Sequence, residues 1–492
     1  MKDFNYYLNS IGEIGYVEQT TSSIIYASGL PGVKPGELVL FENGQLGETL
    51  SLSHHAIEIL VFSKDGLTLG TKIVRTNDLL KIPVGIELLG KIIDPLGNNL
   101  EESLPVRRPK MLRAIVASPS GITSRKAIKR HLATGVPVVD LVLPLGYGQK
   151  QLVIGDRKTG KTDFLLQAIL TQAKLGNICI YAAIGKRKFD IIKLKDVFAK
   201  YQILDRVVIV ASGSQDPIGM IYLTPYSAMT ISEYFRDQGF DVLLVLDDLS
   251  THAKFYRELA LLGKRFPGRS SYPGDIFYTH ASLLERAGNF ATPKGERAIT
   301  CLPVAETIEG DLSGYIQTNL MSMTDGHLYF DLDLFAKGRR PAINPFLSVT
   351  RVGRQTQSNL ERQINREILS FLTLFEKMQR FAHFGAELNE TIKATLSVGE
   401  ELTKFFQQPP STIIPIHVQI LLFCLLWISV VQKRSPSEAY EKLQDLEKIV
   451  KLYEGNQDFR KKLDTIIQTT ESFNDLLRII IEKKEELLRY DR

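Results

Sequence analysis

Cysteine is scarce, with three in 492 residues, and Cys179, Cys301 and Cys424 lie far apart without histidine neighbours at metal-ligand spacing. That rarity excludes a disulfide framework and a cysteine-based zinc site, and predicts buried thiols in a reducing compartment. The first fifteen residues, MKDFNYYLNSIGEIG, lack the apolar core of a secretory signal, which favours assembly on the cytoplasmic side of a membrane. Long hydrophobic runs are missing too. The nearest, residues 413–431, contains Pro415, His417 and Gln419, and its uninterrupted apolarity begins only at Ile420. A buried helix of a soluble bundle is expected there rather than a membrane span. Charge of one sign is also lacking, with 60 basic against 55 acidic residues and a net +5. The single basic cluster, Arg125, Lys126, Lys129, Arg130 and His131, reads as a solvated face rather than a nucleic-acid site.

What is present divides into three segments. Residues 1–78 carry short β-branched runs (23–27, 37–41, 56–62 and 71–74) separated by Pro-Gly, Asn-Gly and Asp-Gly turns, which predicts a small β-barrel with no catalytic constellation. Residues 79–357 alternate short apolar runs at 151–155, 178–184, 207–212 and 242–246 with helical stretches at 163–174, 190–201 and 217–238. Strands buried on both faces of a mainly parallel α/β sheet have this pattern. Residues 358–492 lose strand signals and become Lys/Glu/Leu-rich with helical periodicity, which predicts an α-helical domain ending, from about 433, in a surface or partner-facing helix pair.

The densest chemistry is GDRKTGKT at 155–162, between a predicted strand and a predicted helix. It fits the glycine-rich phosphate loop, in which backbone N–H groups turn inward around an anion and the helix adds its positive end. Gly155, Asp156, Arg157, Lys158, Thr159 and Gly160 form the expected cradle. Lys161 provides a point charge for the outer phosphates, and the Thr162 hydroxyl a ligand for Mg²⁺. ATP or ADP with Mg²⁺ is the expected ligand.

The run DVLLVLDD ends in Asp247 and Asp248. An acid closing a buried strand two β-units after the phosphate loop predicts that Asp247 holds a Mg²⁺-bound water, the alternative being a cap for Ser250 and Thr251. Hydrolysis also requires a group that orients or deprotonates water. Where that carboxylate is expected, the strand ICIYAAIG runs into Lys186, Arg187 and Lys188, and a cation cannot accept a proton from water. Slow turnover at the protein's own site follows.

Longer blocks carry a resemblance. Residues 245–287 with their YPGD and LLERA motifs, LPVAETIEGDLSGYIQTNLMSMTDG at 302–326, and KGRRPAINPFLSVTRVG at 337–353 resemble the alpha-subunit family of F-type ATP synthases. ASGLPGVKPGEL and GIELLGKIIDPLGNNL extend the likeness through the first segment into the second. It implies an N-terminal crown barrel, a central RecA-like domain and a C-terminal helical bundle. In beta subunits the catalytic glutamate stands where this sequence has Lys186, and alpha subunits usually have glutamine there. The resemblance therefore implies a regulatory, nucleotide-binding subunit of a proton-translocating enzyme, not catalytic by itself. It makes Arg351 the arginine that completes the neighbouring beta site, where the residues alone leave a structural ion pair open. It puts Ser322 near that same site, and Arg340, Pro341 and Gln408 beside the alpha subunit's own adenine.

Four departures refine the expectation. Lys158 replaces the family's usual glutamine and joins Lys186 as a second added cation around the triphosphate, which predicts tighter phosphate binding or weaker Mg²⁺ dependence. Gln408 with Pro410 keeps half of an adenine-side glutamine pair. Pro345 and Phe346 replace small residues before Arg351, which predicts a stiffened or displaced finger. The N-terminal stretch is shorter than the family's, which predicts that the helix docking the stator's delta subunit is missing and leaves open how the ring is held against rotation.

The implied assembly alternates alpha and beta around a gamma shaft, with delta and peripheral-stalk subunits, and meets the membrane only through the proton-conducting sector. Its expected place is the cytoplasmic face of a bacterial plasma membrane, or the matrix or stroma face of an organelle membrane. Nucleic acid is not an expected partner. Two rivals share the ring architecture. A Rho-like RNA helicase needs basic–aromatic clusters in its barrel and its own catalytic carboxylate. A secretion or flagellar ATPase hydrolyses ATP unaided.

Overall fold

Six N-terminal strands close on themselves, so that no strand is left with an unpaired edge. The computed structural model describes residues 2–21, 23–53, 56–63, 65–101, 109–383, 390–409, 412–431 and 446–488. The strands are β1 (Ile14–Thr20), β2 (Ile24–Gly29), β3 (Glu37–Phe41), β4 (Leu46–Leu52), β5 (Ile57–Val61) and β6 (Lys72–Leu79), joined in the order β1-β2-β5-β4-β3-β6. Val17, Ile25, Ala27, Val39, Phe41, Ile59 and Ile73 fill the interior. Buried Arg75 forks onto Glu37 at 3.0 and 3.1 Å and reaches Glu13 at 2.9 Å, so its charge is neutralised where water is absent. The turn pattern missed β1 and β4, because IGYVEQT and LGETLSL interrupt the apolar alternation with glycine and polar residues. It missed the short helix Phe4–Ile11 as well, which Asp3 caps by accepting from the Tyr6 N–H.

The protein folds as two compact units, Met1–Ala127 with Ala173–Thr324, and Ile128–Gln172 with Asp325–Arg492. Besides the barrel, the first contains a parallel sheet in the order Gly295–Glu306, Val242–Asp247, Ile178–Lys186, Val207–Gly213 and Ile92–Ile93. Val242–Asp247 is buried along its whole length, as a strand covered on both faces must be. Gly288–Thr292 adds an antiparallel hairpin arm to Gly295–Glu306. Helices Lys188–Lys200, Ile218–Asp237 and Leu249–Leu262 follow successive strands.

In the second unit Leu152–Gly155 pairs in parallel with Gly326–Phe330, which carries Val349–Thr350 antiparallel on its other side. The helices are Lys161–Lys174, Asn359–His383, Glu390–Phe405, Ile416–Val431, Leu446–Gly455, Gln457–Thr469 and Phe473–Leu488, apart from the short Leu332–Ala336. Three helices, rather than a pair, end the described residues; positions 432–445, where that stretch was expected to begin, lie outside them. Among the described residues no helix is long and apolar enough to cross a membrane. The apolar Ile416–Val431 instead packs Phe423 against Trp427, Phe405 and Phe473. Its buried Gln419 donates to Asp140 at 2.8 Å, and Asn365 donates to the Leu141 and Val142 carbonyls. Asp140 also accepts from the Thr134 hydroxyl and from the N–H groups of Thr134 and Gly135. The bundle helices are thus fixed to the segment that leads into the phosphate-loop strand.

Two buried histidines in the first unit touch. His252 Nε2 lies 3.1 Å from the Tyr222 carbonyl, which can only accept, so that nitrogen carries the proton. His252 Nδ1 then accepts from His280 Nε2 at 3.1 Å, and both rings are neutral. Burial pushes His252 down to about 4, and burial together with its neighbour drives His280 well below the ordinary 6.5. The unfolded protein therefore binds more protons than the folded one between these limits. The stability this pair contributes is complete above pH 6.5 and is lost as pH falls toward 4. In the second unit His131 acts oppositely: burial disfavours its cation, but Glu361 and Asp140 hold it above the ordinary value. Urea unfolding as a function of pH should give a weaker rise with pH in the His252→Gln, His280→Gln double variant than in the wild type.

Candidate functional site

The phosphate loop lies in the second unit, where Leu152–Gly155 ends and Lys161–Lys174 begins. Gly155 is backed by the strand Gly326–Phe330, and a Cβ there would meet the Phe330 carbonyl oxygen at 2.4 Å. Gly160 takes the left-handed φ of +89° that turns the backbone into the helix. Lys158 is also left-handed, at φ +62°, and is exposed like Arg157. The Thr159 hydroxyl closes the loop on the Asp156 carbonyl at 2.7 Å. The Lys161 ammonium folds back onto the carbonyls of Gly155 and Asp156, at 2.8 and 2.6 Å. Thr162 is exposed in the first helical turn. The loop therefore places a cation and an open hydroxyl at the positive end of a helix, which fits a Mg²⁺-bound triphosphate.

The expected adenine-side residues also meet in this unit. The Arg340 guanidinium stacks 3.4 Å above the Phe335 ring centroid and donates to the Phe335 and Arg339 carbonyls. The Gln408 N–H donates to the Arg340 carbonyl at 2.7 Å, and its side-chain amide donates to the Gly135 carbonyl at 2.8 Å. The Gln408 Oε1 atom is buried with no partner among the described residues. Pro341 follows Arg340 on the same segment, and Pro410 lies outside the described residues. The sequence pattern does not single out Phe335, yet its ring stacks under Arg340 and lies near the loop, where a Cβ added at Gly160 would sit 3.9 Å from it.

Arg351 follows the strand Val349–Thr350 and is exposed. Its N–H donates to the Asp325 carbonyl at 3.0 Å, while its guanidinium has no hydrogen-bond or ion-pair partner among the described residues. The backbone around it is tightly held. Thr350 donates to the Pro144 carbonyl at 2.9 Å, and Asn344 Oδ1 accepts from the N–H groups of Phe346 and Leu347. The segment carrying Pro345 and Phe346 is thus pinned, and the charge beyond it is free.

In the first unit, register places the strand-end residues together. Tyr181 pairs with Val245, so Asp247, two residues on, projects to the same face. The Tyr181 hydroxyl donates to Asp247 Oδ2 at 2.5 Å. Lys186 Nζ lies 2.8 Å from Asp247 Oδ1 and 3.4 Å from Asp248 Oδ2. Asp248, not Asp247, caps the next helix, accepting from the Thr251 N–H at 2.6 Å and its hydroxyl at 3.0 Å. Burial disfavours the Lys186 cation, but the two aspartates outweigh it and hold the ammonium above its ordinary value. Burial and the adjoining Asp247 carboxylate push the Tyr181 phenol far up. Lys186, expected as a cation available to the triphosphate, is already paired. The motifs do not point to Tyr181; its only signal in the sequence is a hydroxyl-bearing ring within a buried apolar run. Ser322, on the helix Tyr315–Met323, is exposed and donates to the Asn319 carbonyl at 2.7 Å.

Gly353 packs so closely that a Cβ would lie 1.6 Å from the Pro144 carbonyl oxygen, next to the Thr350 contact that fixes Arg351. Gly353→Ala should lower stability in chemical denaturation by about 3 kcal/mol, through forced displacement of that backbone.

Comparisons with known proteins identify the family. Residues 135–350 match the profile of the nucleotide-binding domain of the ATP synthase alpha/beta family, and residues 357–484 match the profile of the C-terminal domain of ATP synthase alpha/beta subunits. The sequence is 39% identical over 432 residues to the ATP synthase subunit alpha of Neorickettsia sennetsu, covering 86% of this protein and 84% of that relative. With the barrel, the phosphate-loop strand and the helical bundle in the same order, the protein belongs to the ATP synthase alpha/beta family, as a divergent member of its F-type alpha-subunit branch.

Proposed function

We propose that this protein is the non-catalytic, nucleotide-binding alpha subunit of a rotary F-type ATPase, peripheral to a membrane and coupled to proton movement through the membrane sector. Its divisions would be a crown barrel at 1–78, a nucleotide-binding domain at 79–357 and a helical domain at 358–492. In its own site, residues Gly155 to Gly160 wrap the phosphates with N–H groups, Lys161 leaves its loop carbonyls for the outer phosphates, and Thr162 and Asp247 serve the metal side. Arg340, Pro341 and Gln408 adjoin the base. Bound Mg²⁺ would supply charge neutralisation of the triphosphate.

The observation that carries the reading is Arg351, an exposed and unpaired guanidinium on a backbone held by Asp325 and Pro144. An arginine committed to a structural ion pair would be engaged within its own subunit. A planar fork held rigidly at the surface suits phosphate oxygens supplied by a neighbour. Ser322 would lie near the same beta site. The neighbours are a beta subunit alternating in a ring, a gamma shaft, and delta and peripheral-stalk subunits, on the cytoplasmic, matrix or stroma face. Nothing in this reading calls for nucleic acid.

Lys186 supports the non-catalytic assignment, because an ammonium paired to two aspartates cannot accept a proton from water. The purified protein should bind ATP but not turn it over, and should gain turnover only with a beta partner. Turnover by the protein alone, or stimulation by RNA, overturns the assignment. In the assembled complex, Arg351→Ala should reduce turnover by roughly 10³–10⁵-fold without weakening ATP binding to the alpha subunit itself. Lys161→Ala should do the reverse, abolishing ATP binding by the isolated subunit in equilibrium dialysis.

A further inference from the structure

Asp247 and Asp248 are adjacent acids at the end of a fully buried strand, 7% and 3% exposed. Two buried carboxylates side by side repel each other and have lost water, so they require compensating charge. Each of their four oxygens already has a donor. Asp247 Oδ1 has the Lys186 ammonium and Oδ2 the Tyr181 hydroxyl, while Asp248 Oδ1 has the Thr251 N–H and Oδ2 the Thr251 hydroxyl with Lys186 beyond. The ammonium is the only cation within ion-pair distance of these acids among the described residues. It arrives from the end of the neighbouring parallel strand, Ile178–Lys186, whose Ala183 pairs with Asp247. Lys186 lies three residues past that pair, across a register irregularity between Ala183 and Lys186, and still reaches both acids.

We propose that Lys186 is a tethered cation in the place of a divalent ion on Asp247 and Asp248. The protein thereby keeps its strand-end acids compensated without metal, and a divalent ion, or its bound water, reaches Asp247 Oδ1 only by displacing the ammonium. A hard divalent cation and an ammonium seek the same carboxylate oxygens, and the tethered group competes at a high effective concentration. This deepens the metal-side role given to Asp247, but it concerns the acids and Lys186 alone and holds whether or not nucleotide binds.

The test uses the full-length protein free of nucleotide, with Mn²⁺ binding followed by electron paramagnetic resonance and thermal unfolding recorded with and without Mg²⁺. Lys186→Gln removes the competitor but leaves both acids. It should bind Mn²⁺ at least about tenfold more tightly than wild type, as expected when an intramolecular competitor is removed. Its melting temperature should rise on adding Mg²⁺ by at least ~3 °C more than that of the wild type, since ligand binding to the folded state stabilises it. Lys186→Arg keeps the charge and should behave as wild type. Equal Mn²⁺ affinity and equal Mg²⁺ response in wild type and Lys186→Gln overturn the proposal, as does an arginine variant that behaves like the glutamine one. Should Lys186→Gln fail to fold, Asp248→Asn alone and combined with Lys186→Gln provide the same comparison with one acid fewer. Mn²⁺ binding no tighter in the double variant than in Asp248→Asn then overturns it. Failure here with ATP binding intact leaves the nucleotide reading standing, whereas loss of both would show in the dialysis experiment.

Discussion

Two carboxylates that end a buried strand cannot stand together without a cation, and the first unit is arranged around meeting that need. Val242–Asp247 is covered along its length, so Asp247 and Asp248 emerge where water is scarce. Lys186 supplies charge, Tyr181 supplies a hydroxyl, and Thr251 turns the second acid into a helix cap. Removing one partner from such a buried pair costs about 3–5 kcal/mol, because the remaining charge is stranded. The proposed non-catalytic role places this same ammonium where a base for hydrolysis would otherwise stand. Under that proposal, charge compensation and the lack of a proton acceptor share one side chain.

The second unit solves a different problem, that of presenting charge without committing it internally. Asp140 gathers Thr134, Gly135 and Gln419 in the interior and fixes bundle helices to the segment before the phosphate-loop strand. The loop exposes Arg157, Lys158 and Thr162, while buried Lys161 rests on the Gly155 and Asp156 carbonyls. Arg351 follows the same logic. Its backbone is bound by Asp325 and its neighbours by Pro144, while the guanidinium is uncommitted. A rigid backbone with a free charge is the preorganisation that the proposed phosphate-contacting role would need.

Much of this was legible in the sequence. The uninterrupted run before Asp247 read as a doubly buried strand because period-two alternation disappears when both faces are covered. The phosphate loop was legible because its glycines and its Lys-Thr pair must sit at fixed spacing. The apolar stretch ending at Val431 read as a buried helix on its proline, histidine and glutamine, and the Gln419 amide is indeed engaged inside the unit. Strands β1 and β4 were hidden, since glycine and polar residues stand within them and barrel closure, not local pattern, makes them strands.

Sequence by itself determined the order of barrel, α/β domain and helical domain, the strand–loop–helix setting of GDRKTGKT, and the lysine that ends the ICIYAAIG strand. These are properties of spacing along one polypeptide. Only the tertiary structure decided that Lys186 is already paired, that Asp248 rather than Asp247 caps the helix, that Phe335 stacks under Arg340, and that Arg351 is anchored yet unpaired. Each of these depends on strand register or on which residues packing brings into contact. Linear pattern names the residues that carry charge, and packing alone decides which of those charges meet.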